Sequence, residues 1–210
     1  DATSLLRYTH AQGAAPGGWQ LGNEQSTDNR KDGAVHINKR SMVRQIKEFA
    51  RLLQTHQPHA MLQAPDGTGD PLFMGYIMQH AHDVVDMFTL HNYPLSGGEA
   101  NVGVNCNVDT FMNPYAYWYQ ELVLTNTWLM AELLSPATPL VLGETASASR
   151  GGCAALSDRF ISGFWWVNMM GKVSKQGYSV LHRQSLFGMS GVGDASHYTL
   201  LGAPGWRGDG

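Results

Sequence analysis

Two short stretches hold the residues best suited to chemistry. In Pro139-Leu140-Val141-Leu142-Gly143-Glu144-Thr145 a proline, three apolar residues and a glycine lead to a single carboxylate. Such a run reads as a short buried strand whose last side chain emerges at its C-terminal end. Trp19-Gln20-Leu21-Gly22-Asn23-Glu24 has the same form. One strand-end glutamate could equally be an ion-pair partner or a cap. Two of them, far apart in sequence, match the needs of glycoside hydrolysis: an acid to protonate the leaving oxygen and a carboxylate to attack the sugar.

The elements that must position these groups belong to an ordinary globular chain. Its 210 residues are 43% hydrophobic and 15% charged, enough for one domain with a core. A net charge of −3 provides no basic field for nucleic acid or another polyanion. Apolar runs such as residues 161–170 are broken by Gly163 and Asn168 and fall short of the roughly 20 residues of a membrane span. Cys106 and Cys153 permit at most one disulfide, free thiols being equally compatible, and neither has metal-ligand spacing. His80 and His82, two apart on an expected helix, point to different faces and do not share a metal. No cofactor and no metal are expected.

Along the chain, strands and helices alternate. Strands are expected at residues 19–21, 60–64, 84–90, 140–144 and 178–187, and helices at 1–11, 39–55, 71–82, 115–134 and 158–172. The helix at 39–55 shows apolar Met42, Ile46, Phe49, Ala50 and Leu53 at amphipathic spacing. Pro65-Asp66-Gly67 should close the second strand as a turn, residues 96–113 form a loop, and Ser157 is a plausible N-cap for the last helix. The aromatic run Tyr115, Tyr117, Trp118 and Tyr119 is expected to pack in the core. Alternation of this kind implies a parallel α/β sheet with strand-end residues on one face. Five strands fall short of the eight of a (β/α)8 TIM barrel, so the fold expected is its C-terminal part, about strands 4 to 8.

Several motifs then carry a likeness that periodicity alone does not supply. Trp19-Gln20-Leu21-Gly22-Asn23-Glu24, the pair His91 and Tyr93, Leu142-Gly143-Glu144-Thr145 with Gly151-Gly152 and Leu156-Ser157-Asp158-Arg159-Phe160, and Arg183-Gln184-Ser185-Leu186 together resemble heparanase and its relatives, the β-glucuronidases of glycoside hydrolase family 79. The likeness runs in order over nearly the whole chain. It implies a retaining hydrolase with a (β/α)8 catalytic domain and an attached β-sandwich, of which the N-terminal strands and the sandwich would be absent here. By that resemblance Glu24 is the general acid/base and Glu144 the nucleophile. Asn23 would hold the sugar 2-hydroxyl, and His91 and Tyr93 would line the site. Gly151, Gly152 and Tyr198 match groups that meet a uronate carboxylate, and Gln184 is a wall residue. The implied partner is a glucuronic-acid-containing glycan, and the implied location is secreted, extracellular or lysosomal.

The departures bear on substrate. Heparanase carries clustered lysines and arginines in the loop after its fifth strand, whereas Pro65-Asp66-Gly67-Thr68-Gly69-Asp70 has no basic residue. Asp66 is the remaining acid nearest to where substrate would sit. The alternative to an enzyme is an inactive carbohydrate-binding relative or a non-functional fragment; the presence of both glutamates and of Asn23 argues against it.

Overall fold

The computed structural model describes residues 1–25, 37–98, 106–186, 197 and 199–200. Its elements run α1 (Ala2–Ala11), β1 (Gly18–Gln20), α2 (Lys39–His56), β2 (Met61–Gly67), α3 (Pro71–Ala81), β3 (Met87–His91), α4 (Val108–Met112), a 3-10 turn (Pro114–Tyr117), α5 (Trp118–Leu134), β4 (Leu140–Thr145), α6 (Ile161–Lys175) and β5 (Val180–Arg183). The five strands form one sheet in sequential order. The β1–β2 and β2–β3 pairs are parallel. Parallel direction continues through β4, where Phe88 N–H bonds Pro139 O at 2.9 Å and Asn92 N–H bonds Glu144 O at 3.1 Å. On β5, Ser179 N–H bonds Leu140 O and Gln184 N–H bonds Thr145 O, both at 2.8 Å. Sequential parallel strands joined by helices are the repeat of a (β/α)8 barrel, here present in part.

The chain divides into two compact units. The first comprises Asp1–His91, Thr125–Leu142 and Tyr178–Val180. Within it α2 turns Met42, Ile46 and Leu53 to the core, and α3 contributes Met74, Ile77 and Met78, all buried with Leu62, Ala64, Phe88 and Leu90 of the strands. Phe49 and Ala50 lie at the flank of the α2 stripe and are only half-buried. The buried Gln57 amide satisfies three elements at once. It accepts from Trp19 Nε1 at 2.7 Å and donates to Leu6 O and Thr9 Oγ1, both at 2.8 Å. Buried amides without such partners are costly, so this side chain ties α1 and β1 to the end of α2.

Pro65-Asp66-Gly67 is not a closing turn. It belongs to β2, whose register with β3 pairs Pro65 with Thr89 and Gly67 with Leu90, leaving Asp66 as an extra residue. The bulge bends the strand and re-aims one side chain. Asp66 takes φ 56° there, and the Ala64–Pro65 bond is cis. The third strand starts at Met87 rather than residue 84, because Val84 and Val85 bond back to Ala81 at the end of α3.

The second unit comprises Asn92–Leu124, Gly143–Gly177 and Leu181–Gly210. Residues 108–112, expected as loop, form α4 because Asn107 caps it, its side chain accepting from Thr110 N–H at 2.8 Å. Ser157 does not cap α6, which begins after Phe160 without a side-chain cap. Its hydroxyl instead accepts from Cys153 N–H at 2.9 Å and pairs with Ser147 Oγ at 2.8 Å, stabilising the loop before the helix. The aromatic run is mostly outside. Tyr115, Trp118 and Tyr119 are exposed, and only Tyr117 is buried, its hydroxyl donating to Phe111 O at 2.7 Å. Burial pushes the Tyr117 phenol up to about 12.

Cys106 and Cys153 form a disulfide across 47 residues, joining the segment before α4 to the loop after β4. Closing a loop of that length removes denatured-state entropy worth about 4 kcal/mol. Cys106→Ser with Cys153→Ser in the full-length protein should therefore lower unfolding stability by about 2–4 kcal/mol, read as a fall in the denaturant midpoint. A midpoint within error of the wild type would show that the bridge constrains nothing.

Candidate active site

In the first unit the site is built from the end of β1, the bulge of β2 and the end of β3. Gly22 follows β1 at φ 103°, and a Cβ there would lie 2.9 Å from Pro65 O, so only glycine lets the chain pass so close. Glu24 then adopts φ 52°, a left-handed conformation costing about 1–3 kcal/mol for a residue with a side chain. It is held there by its N–H, which bonds Asp66 O at 2.8 Å. The Glu24 carboxylate is half-buried, and Asn23 beside it is exposed to solvent.

His91 closes this group. Strand side chains alternate, so Thr89 and His91 share one face of β3, and both are buried. His91 Nδ1 lies 3.1 Å from Glu24 Oε1, and His91 Nε2 lies 2.6 Å from Asp66 Oδ1. Asp66 is itself fixed twice. Gln20 Nε2 donates to its Oδ1, and its own N–H donates to Thr89 Oγ1 at 3.0 Å.

In the second unit Glu144 lies near the end of β4, half-buried. Tyr93 donates its phenolic hydrogen to Glu144 Oε1. An O–H directed at a carboxylate is a charge-assisted bond that holds the carboxylate's orientation. The segment bearing Tyr93 is anchored at Asn92, whose carbonyl accepts from Thr145 Oγ1 at 2.7 Å and from the buried Gln120 Nε2 at 3.0 Å. Further on, Leu95 bridges to Ala148 in parallel fashion.

Gly151 and Gly152 both take positive φ in the turn after β4. The Gly152 N–H donates to Ser149 O and its carbonyl accepts from Gly98 N–H, each at 3.0 Å. The Gly152 amide is therefore used within the turn. Gln184 follows β5, and its peptide bond to Ser185 is cis. Tyr198 lies outside the described residues.

Thus His91 joins Glu24, and Tyr93 joins Glu144. What sequence reasoning missed is the partnership of Asp66 with His91. Two signals were available: polar Thr89 and His91 at alternate positions of the otherwise apolar Met87–His91, and a Pro-Asp-Gly motif that a bulge accommodates as readily as a turn.

The comparisons with known proteins agree with this architecture. The model of glycosyl hydrolase family 79, N-terminal domain, matches residues 1–171. Heparanase from Bos taurus is 32% identical over 176 residues, covering 81% of this chain and 31% of its own length. Hyaluronoglucuronidase from Hirudo nipponia is 25% identical over 191 residues, covering 89% of this chain and 37% of its own length. The chain thus spans about a third of the length of these relatives. Among solved structures, a monomeric β-xylosidase from Caulobacter crescentus CB15 superposes with a TM-score of 0.68 at 16% identity, over 96% of this chain and 42% of that one, a likeness of fold. With the family model matching most of its length, the chain belongs to glycosyl hydrolase family 79.

Proposed function

We propose that the chain carries the two catalytic carboxylates of a retaining β-glucuronidase, with Glu144 as nucleophile and Glu24 as acid/base. The observation that carries this reading is that each strand-end glutamate has its own partner, from residues flanking Asn92: His91 on Glu24 and Tyr93 on Glu144. Glu144 attacks the anomeric carbon while Glu24 gives its proton to the glycosidic oxygen, and that C–O bond breaks. Glu24, now a carboxylate, takes a proton from water, whose oxygen displaces Glu144 and releases the sugar with its configuration retained. Tyr93 holds Glu144 oriented before attack.

The remaining residues complete the reading. Asn23, beside the acid/base, holds the sugar 2-hydroxyl. Gly151 offers its amide to the uronate carboxylate, Gly152 shapes the turn, Tyr198 adds a hydroxyl, and Gln184 forms a wall. Residues 1–210 are then part of the catalytic barrel, with earlier strands and a β-sandwich belonging to the rest of the enzyme. The substrate class is a glucuronic-acid-containing polysaccharide, glycosaminoglycan or proteoglycan, met outside the cell or in the lysosome. Among the described residues no helix is long and apolar enough to cross a membrane. The segment of residues 65–70 carries two acids and no base, which favours a less sulfated chain.

Retention requires the two carboxyl groups to stand about 5–5.5 Å apart. A crystal structure of the full-length enzyme should show that separation, and a spacing near 8 Å would indicate inversion instead.

The two roles separate in kinetics on aryl β-glucuronides with the full-length enzyme. Glu144→Gln should abolish turnover whatever the leaving group. Glu24→Ala should cost roughly 10²–10⁴-fold with poor leaving groups and far less with activated ones. Its trapped intermediate should be released by azide as the β-glucuronosyl azide. Azide rescue of Glu144→Gln, giving the α-azide, would mean the roles are exchanged.

A further inference from the structure

We infer that Asp66 is a positioning residue for the acid/base, acting through His91 to hold Glu24. The inference rests on the assignment of Glu24 above. Three bonds form a closed circuit, and a fourth braces it. The Glu24 N–H bonds Asp66 O at 2.8 Å, and the Asp66 carboxylate meets His91 Nε2 at 2.6 Å. His91 Nδ1 then meets Glu24 Oε1 at 3.1 Å, while Gln20 steadies the Asp66 oxygen that His91 uses. Asp66 and His91 are both buried, so neither contact is the loose pairing of a surface charge. Asp66 thus grips both the backbone and, through one imidazole, the side chain of the same glutamate.

The chemistry follows from donor and acceptor counting. An ionised carboxylate only accepts, so Nε2 carries the hydrogen that faces Asp66. In a neutral imidazole that leaves Nδ1 with a lone pair directed at Glu24. With His91 in that neutral tautomer the contact is satisfied only when the proton is on Glu24, Oε1–H donating to Nδ1, which is the form the first step of the reaction consumes. Without Asp66 the imidazole is free to adopt the other tautomer, which would donate to Glu24 and favour its anion. The register shift in β2 falls at this residue, and Asp66 there meets Thr89 and His91 of β3.

Two measurements on the full-length enzyme test the role. Long-range ¹H–¹⁵N NMR of the wild type should find His91 protonated at Nε2 alone; protonation at Nδ1, by itself or in an imidazolium, would overturn the inference, with no variant needed. In kinetics, Asp66→Ala should lose on the order of 10²-fold in kcat/KM on aryl β-glucuronides with poor leaving groups and less than about 3-fold on activated ones, mirroring Glu24→Ala in direction. Equal losses across the series would reduce Asp66 to a structural residue and overturn the inference. A flat series for Glu24→Ala would instead overturn the acid/base assignment, and the His91 tautomer would still decide the Asp66 contact.

Discussion

A single extra residue in β2 is the constraint on which the half of the site around Glu24 depends. Parallel strands leave little freedom at their ends, because evenly spaced ladder bonds fix where each side chain points. The β2–β3 register shift between Pro65 and Gly67 relaxes that rule at one position, and Asp66 occupies it. Its carbonyl then holds Glu24 in a left-handed conformation that an unsupported glutamate would leave, and its carboxylate orients His91. Gly22 belongs to the same device, since its missing Cβ lets the strand end pass against Pro65 O.

The second unit solves a similar problem by different means. Glu144 lies inside β4 near its end, but Tyr93 sits on the segment that follows β3, and loops are less constrained than ladders. Order is restored by a few buried bonds. The Asn92 carbonyl takes two donors, Ser157 braces the loop after β4, and the Cys106–Cys153 bridge ties that loop to the segment before α4. The hydroxyl that looked like a helix cap is used in that bracing, and α6 starts uncapped a few residues later.

Much of the architecture was legible in the chain itself. Apolar spacing in α2 and α3, the strand-like runs before Glu24 and Glu144, and the alternation of the two element types reflect local periodicity, which burial enforces wherever the helices and strands pack. The two glutamates stood out because each closes a short strand-like run that ends in a glycine and a carboxylate. Where the reading failed, as at Pro65-Asp66-Gly67, residues 108–112 and the aromatic run, the local signal was compatible with two outcomes and distant contacts chose between them. Tyr117 is buried because Phe111 O receives its hydroxyl, whereas its neighbours Trp118 and Tyr119 fall on faces that meet no core.

The sequence by itself determined the order of the strands and longer helices and the parallel α/β class, and it singled out two candidate carboxylates, because these depend on the pattern of residues within a dozen positions of one another. Only the tertiary structure decided which groups those carboxylates meet. His91 bonds Glu24 across 67 residues, Tyr93 reaches Glu144 across 51, and the two cysteines pair across 47. Such contacts form only after strands have aligned, and alignment shifted by a single residue at the bulge sends Asp66 to His91 instead of to solvent. A one-residue register change leaves no periodic trace in the chain, which is why it had to be seen in three dimensions.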